Sequence, residues 1–161
     1  MYHKKLPVVL NKWTAERKCQ TNVVGFIRHL FYREMVELPI LVLAKHREFQ
    51  TWLHLFEELC PDMYVVNLTG LHDSRNVIKT RELYYEEAGV PKFDIMLTSF
   101  ECLGKDNSMF YNKEINVRWS VIVYDDEMRC ESYLMSRPGV DQSYRFILAS
   151  TLLLYCRGIQ R

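Results

Sequence analysis

The residues with the clearest chemical potential are Asp125, Asp126 and Glu127, which come directly after the apolar run Val121-Ile122-Val123-Tyr124. Adjacent acids at the tip of a buried strand are how a nucleotide-hydrolysing sheet holds magnesium and orients water, because the ion takes carboxylate oxygen and keeps several waters. On that reading one or two of these acids suffice to hold the ion. The plainer alternative is that the acids end a strand and cap the next element. A phosphate-binding loop would be expected before the first long helix, with the pattern GxxxxGK[ST] or a shorter GxGK[ST]. The stretch there, Asn11 to Thr21, contains no glycine. A phosphate cradle needs glycine so that backbone amides can converge without Cβ interference, and Glu16 would set negative charge against the anion. Arg17 and Lys18 are the residues left to contact a nucleotide, although basic residues at a surface helix start are more often solvated charges. The five histidines form no HExxH pair, and there is no GxSxG elbow, so hydrolytic zinc or serine chemistry has no motif here.

These candidates need elements to position them. Residues 39–44, 63–68, 93–98, 119–124 and 144–149 are near-continuous apolar runs of strand length, the pattern of strands buried on both faces. Between them, Val23, Val24, Ile27, Leu30 and Phe31 recur at helical spacing. Phe49, Trp52, Leu53 and Phe56 line a second helix that Pro61 ends. Trp52 and Phe56 read as core. A third helix carries Val77, Ile78 and Leu83, with Asp73 or Ser74 as cap and a break at Gly89-Val90-Pro91. Strand–helix alternation predicts an α/β fold with a mainly parallel sheet and helices on both faces. Ligands then sit at the carboxyl ends of the strands. Those ends are Ala44-Lys45-His46, Thr69-Gly70, Thr98-Ser99-Phe100-Glu101, Asp125-Asp126-Glu127 and Ser150-Thr151.

Composition narrows the class. The 161 residues are 48% hydrophobic and 25% charged, with 21 Lys+Arg against 20 Asp+Glu for a net charge of +1. One packed domain is expected, and a strongly basic nucleic-acid module is excluded at the level of the whole chain. The five cysteines are widely spaced with no CxxC pair, which fits buried thiols in a reducing compartment. No run approaches the ~20 apolar residues of a membrane span. An intracellular, cytosolic or nuclear protein with no membrane partner is expected.

The order of the segments resembles the first RecA-like ATPase lobe of the Swi/Snf family, the chromodomain-helicase branch most closely. Pro39 to Ala44 with Trp52 and Phe56 is similar to that branch's "PFLV-AP…W--EF". Cys60 to Val66 is similar to "APDMYVV". Gly70, Asp73 to Arg75 and Ile78 are spaced as in "G-kdSR--I", and Lys92 to Glu101 matches "KFDVLLTSYE". Trp119 to Asp125 stands where "W--LIVDEAH" begins, and Tyr144 to Thr151 where the strand before "TGTP" lies. The resemblance implies a three-layer RecA-like, P-loop NTPase-like fold, with residues 1–161 as one helicase ATP-binding-like lobe and the second lobe absent. It also implies nuclear location, chromatin-protein partners, and contact with duplex DNA backbone near Lys45, His46, Thr98 and Ser99. The alternative reading of Thr98 and Ser99 is that they cap the next helix.

The departures shape the functional expectation. The family's GxGKT falls on Thr14 to Lys18, so its glycines and Lys–Thr pair are missing; DEAH falls on Asp125-Asp126-Glu127-Met128. Only Asp125, the magnesium position, is kept, with Arg17, Lys18 and Asp126 completing a degenerate nucleotide site. The second lobe would supply an arginine finger worth ~10³–10⁵ in rate. The resemblance therefore implies no catalytic residue, no resident cofactor and at most weak Mg-ATP binding. It points to a pseudo-ATPase scaffold, similar to plant silencing proteins with an eroded helicase region. The alternative is a DNA-stimulated ATPase lobe completed by a second, homologous or different, lobe.

Overall fold

The computed structural model describes residues 8–11, 16–33, 39–85, 90–99, 101–102, 119–125 and 152–157, with backbone only for 8–11, 16–18 and 152–157. Among them are six strands: β1 (Val8–Asn11), β2 (Ile40–Leu43), β3 (Val65–Leu68), β4 (Ile95–Thr98), β5 (Val121–Tyr124) and β6 (Leu152–Arg157). They form one sheet in the order β1-β6-β5-β2-β4-β3, and every pairing is parallel. The helices are α1 (Glu16–Arg33), α2 (Phe49–Leu59) and α3 (His72–Arg81), with a short 3₁₀ turn at His46–Glu48 before α2.

All four residues of β2, of β4 and of β5 are buried, whereas edge strand β3 alternates between half-buried and buried residues. This is what apolar runs without alternation require: in a parallel sheet both faces are covered. On one face Ile40, Val42, Ile95, Leu97, Val121 and Val123 meet Val23, Val24 and Ile27 of α1 and Phe49, Trp52 and Phe56 of α2 in a single cluster. Trp52 and Phe56 stack with ring centroids 5.8 Å apart, as core residues. The opposite face, with Leu41, Leu43, Met96, Ile122 and Tyr124, is buried as well. The result is the expected three-layer α/β architecture.

One expected strand lies outside the described residues, and three further expectations are corrected. The strand expected at 144–149 lies outside the described residues; the strand beside β5 is β6, aligned Val121 to Leu152. β6 begins directly after Ser150 and Thr151 in the sequence. The apolar run from Phe146 to Tyr155 is long enough to hold a strand at either end, so periodicity could not choose the register. The N-cap of α3 is Leu71, with no side-chain cap bond, so Asp73 and Ser74 sit inside the first turn. That helix stops at Arg81, and Leu83 is buried beyond its end. The expected set of strands also lacks β1, whose pairing partner β6 is 141 or more residues away.

Candidate functional site

The carboxyl ends of β2, β4 and β5 are laced together by backbone bonds: the Asp125 amide donates to the Leu43 carbonyl (2.8 Å) and the Ala44 amide to the Thr98 carbonyl (3.0 Å). Asp125 thus stands at the centre of the sheet's carboxyl edge. It is only 3% exposed. Its Oδ2 accepts one hydrogen bond from Gln20 Nε2 of α1 and another from Trp52 Nε1 of α2, each 2.9 Å. Both donors are buried. Asp126 lies outside the described residues.

The start of α1 at Glu16 puts Arg17 and Lys18 in its first turn. Only the backbone of these two residues is described. Among the described residues no three His, Cys, Asp or Glu side chains converge as a metal-binding group.

Of the residues expected at DNA, Lys45 and His46 lie on the described surface. Lys45 is half-buried and precedes the 3₁₀ turn, where His46 and Arg47 are exposed. His46 Nδ1 lies 3.4 Å from Thr69 Oγ1 at the end of β3, and its ring meets Phe49 edge-on at 5.2 Å. Next to Thr69, Gly70 adopts φ +98°, a backbone region that suits glycine. Its carbonyl accepts the Arg75 guanidinium, a buried cation in α3.

Thr98 and Ser99, expected either along phosphate or as helix caps, are both buried with their hydroxyls on backbone groups. Thr98 is fully buried and its hydroxyl donates to the Leu68 carbonyl at 2.9 Å, tying β4 to edge strand β3. The Ser99 hydroxyl accepts the Cys102 amide N–H at 3.3 Å, the spacing of a helix cap. The reason is local: a small hydroxyl residue where a strand gives way to a helix meets backbone groups first.

Sequence reasoning missed the bonds to Asp125, although a signal existed. Gln20, Val23, Val24 and Ile27 share one helical stripe, and an amide on an apolar stripe must find a buried partner. Likewise a core tryptophan brings an N–H that needs an acceptor.

Taken together, a six-stranded parallel sheet, covered on both faces and carrying an acid at the tip of a central strand, defines a three-layer α/β lobe. Comparisons with known proteins sharpen this. Its homologues are chromodomain-helicase-DNA-binding proteins, and it is similar to the RecA-like lobe of the Swi/Snf chromodomain-helicase branch. The chain is 28% identical over 109 residues to the CHD3-type chromatin-remodeling factor CHR7 of Arabidopsis thaliana, a match covering 68% of this chain and 9% of that protein. It is 28% identical over 134 residues to chromodomain-helicase-DNA-binding protein 1 of Gallus gallus, covering 81% of this chain and 8% of that protein. The chain therefore spans less than a tenth of these relatives. Among solved structures, the Sulfolobus solfataricus SWI2/SNF2 ATPase core in complex with dsDNA matches with a TM-score of 0.57 at 15% identity, covering 92% of this chain and 26% of that one. No protein-family profile matches the chain. The similarity supports a helicase-like lobe of the chromatin-remodeller kind.

Proposed function

We propose that this lobe is a pseudo-ATPase: a scaffold or interaction module that acts by binding, in chromatin remodelling or transcriptional gene silencing in the nucleus. The observation that carries the reading is the glycine-free passage from β1 into α1, Lys12 to Lys18, with Glu16 as the first helical residue. A helix start binds phosphate through free amides and its positive dipole end. Bulky residues and an acid there remove both advantages. Arg17 and Lys18 offer charge without the amide cradle. Asp125, turned inward onto Gln20 and Trp52, is poorly suited to a hydrated magnesium ion, which needs carboxylate oxygen open to water. The Mg-ATP set thus does not fit these residues.

Binding remains. The solved SWI2/SNF2 core was captured on double-stranded DNA. By analogy we assign this lobe a backbone contact at Lys45 and His46, extended by exposed Arg47, with no sequence readout. Thr98 and Ser99 are left out of that surface. Chromatin proteins, including a second lobe, are the remaining partners.

The test is a thermal-shift titration with Mg-ATP and, separately, a short DNA duplex. A ligand at ~100-fold excess over its Kd adds about 2.7 kcal/mol, which raises Tm by roughly 5–10 °C in a chain of this length. No shift with Mg-ATP is expected. A DNA-dependent shift that Lys45→Glu diminishes is expected. A clear Mg-ATP shift would restore the reading as a DNA-stimulated ATPase lobe awaiting a second lobe.

A further inference from the structure

Asp125 is the one candidate nucleotide residue whose surroundings are described, and they are those of a structural acceptor. We infer that the Asp125 carboxylate serves as an internal clasp holding α1 and α2 to the tip of β5, in the place where a working lobe of this fold would keep a magnesium ligand. Its partners come from far away in sequence: Gln20 is 105 residues distant and Trp52 is 73. Its own amide is fixed to β2 through Leu43. One residue thereby joins two strands and two helices.

The donor chemistry supports this. An indole N–H can only donate, and an ionised carboxylate can only accept, so the Trp52 bond has a single polarity. Gln20 must present its amide nitrogen for the same reason. Both bonds converge on Oδ2, at a position 3% exposed. A carboxylate removed from water this completely is stable only when donors compensate it, and charge-assisted bonds of this kind are stronger than neutral ones. A metal-holding carboxylate has the opposite design. It is kept available for an ion that arrives with the nucleotide, at a cost in stability until the ion binds, so removing it commonly stabilises the empty protein.

The two roles predict opposite signs in metal-free, nucleotide-free buffer, where ATP binding has no influence on the readout. Asp125→Ala in the 161-residue chain orphans both buried donors. The clasp predicts that Tm falls by about 6 °C or more. Asp125→Asn, which can still offer an acceptor oxygen, falls by less. Asp125→Ala combined with Trp52→Phe falls by less than the two single losses added, because the alanine leaves the indole without its acceptor. Should Asp125→Ala fail to fold, Asp125→Asn and Trp52→Phe carry the same comparison: each lowers Tm, and their combination is less than additive. An unchanged or raised Tm on Asp125→Ala overturns the clasp, as does strict additivity in either double variant. A magnesium-dependent rise in Tm that the Asp125 variants abolish overturns it as well.

Discussion

Replacing Thr98 with valine separates a structural hydroxyl from a DNA-facing one. The two side chains are nearly the same shape, so the substitution removes one hydroxyl and leaves packing almost intact. In the fold, that hydroxyl is fully buried and donates to the Leu68 carbonyl at 2.9 Å. A neutral buried hydrogen bond contributes about 0.5–1.5 kcal/mol net, and a carbonyl left without its donor costs ~1–3 kcal/mol. The added methyl group is itself buried and returns a part of this loss, up to ~0.8 kcal/mol. The expected net cost is therefore about 1–2 kcal/mol, and Tm falls by roughly 2–8 °C. Urea unfolding is the assay: the midpoint should drop with the slope unchanged, the sign of altered stability without an altered unfolded state. Duplex affinity, measured by fluorescence anisotropy at fixed salt, should match the parent chain. The refuting result is the reverse pattern, with stability unchanged and DNA affinity lost. That would mean the hydroxyl reaches phosphate and the bond to Leu68 is dispensable.

Two glycines should respond to alanine with opposite signs. Gly25 lies in α1 with nothing within 4 Å of an added Cβ, so Gly25→Ala should stabilise by ~0.5–1 kcal/mol. Gly70 has φ +98°, so Gly70→Ala should destabilise by about 1–2 kcal/mol even though the nearest atom, Ser74 Cβ, is 3.5 Å away; chemical denaturation of both variants checks the pair. Burial raises the Tyr84 hydroxyl from the usual 10 to about 12. The folded state then holds that proton more tightly than the unfolded state, so this contribution is intact below pH 10 and is lost as the pH rises toward 12. Tyr84→Phe should flatten that part of an alkaline denaturation curve, and an unchanged curve would remove Tyr84 as its cause.

Much of the architecture was legible because parallel strands buried on both faces leave uninterrupted apolar runs. β2, β4 and β5 fall inside the runs expected for them, and α2 stops at Leu59, two residues before Pro61. Local chemistry sufficed there. It failed where several local solutions were available. The run from Phe146 to Tyr155 could hold a strand at either end, and only pairing with β5 set β6 at Leu152. β1 is a four-residue edge strand whose partner is 141 or more residues away, so no local pattern marks it.

The site divides along the same line. The sequence by itself determined that no glycine cradle can form between Asn11 and Val24, because a missing residue type cannot be restored by folding. It also determined that an acid would end the strand at Tyr124. Only the tertiary structure decided what that acid does. Whether a carboxylate meets a hydrated ion or two buried N–H donors depends on where Gln20 and Trp52 arrive, and those positions are set by packing α1 and α2 on the sheet. The same holds for Thr98 and Ser99, whose hydroxyls would suit phosphate equally well in a sequence. Folding put backbone groups within reach of them first.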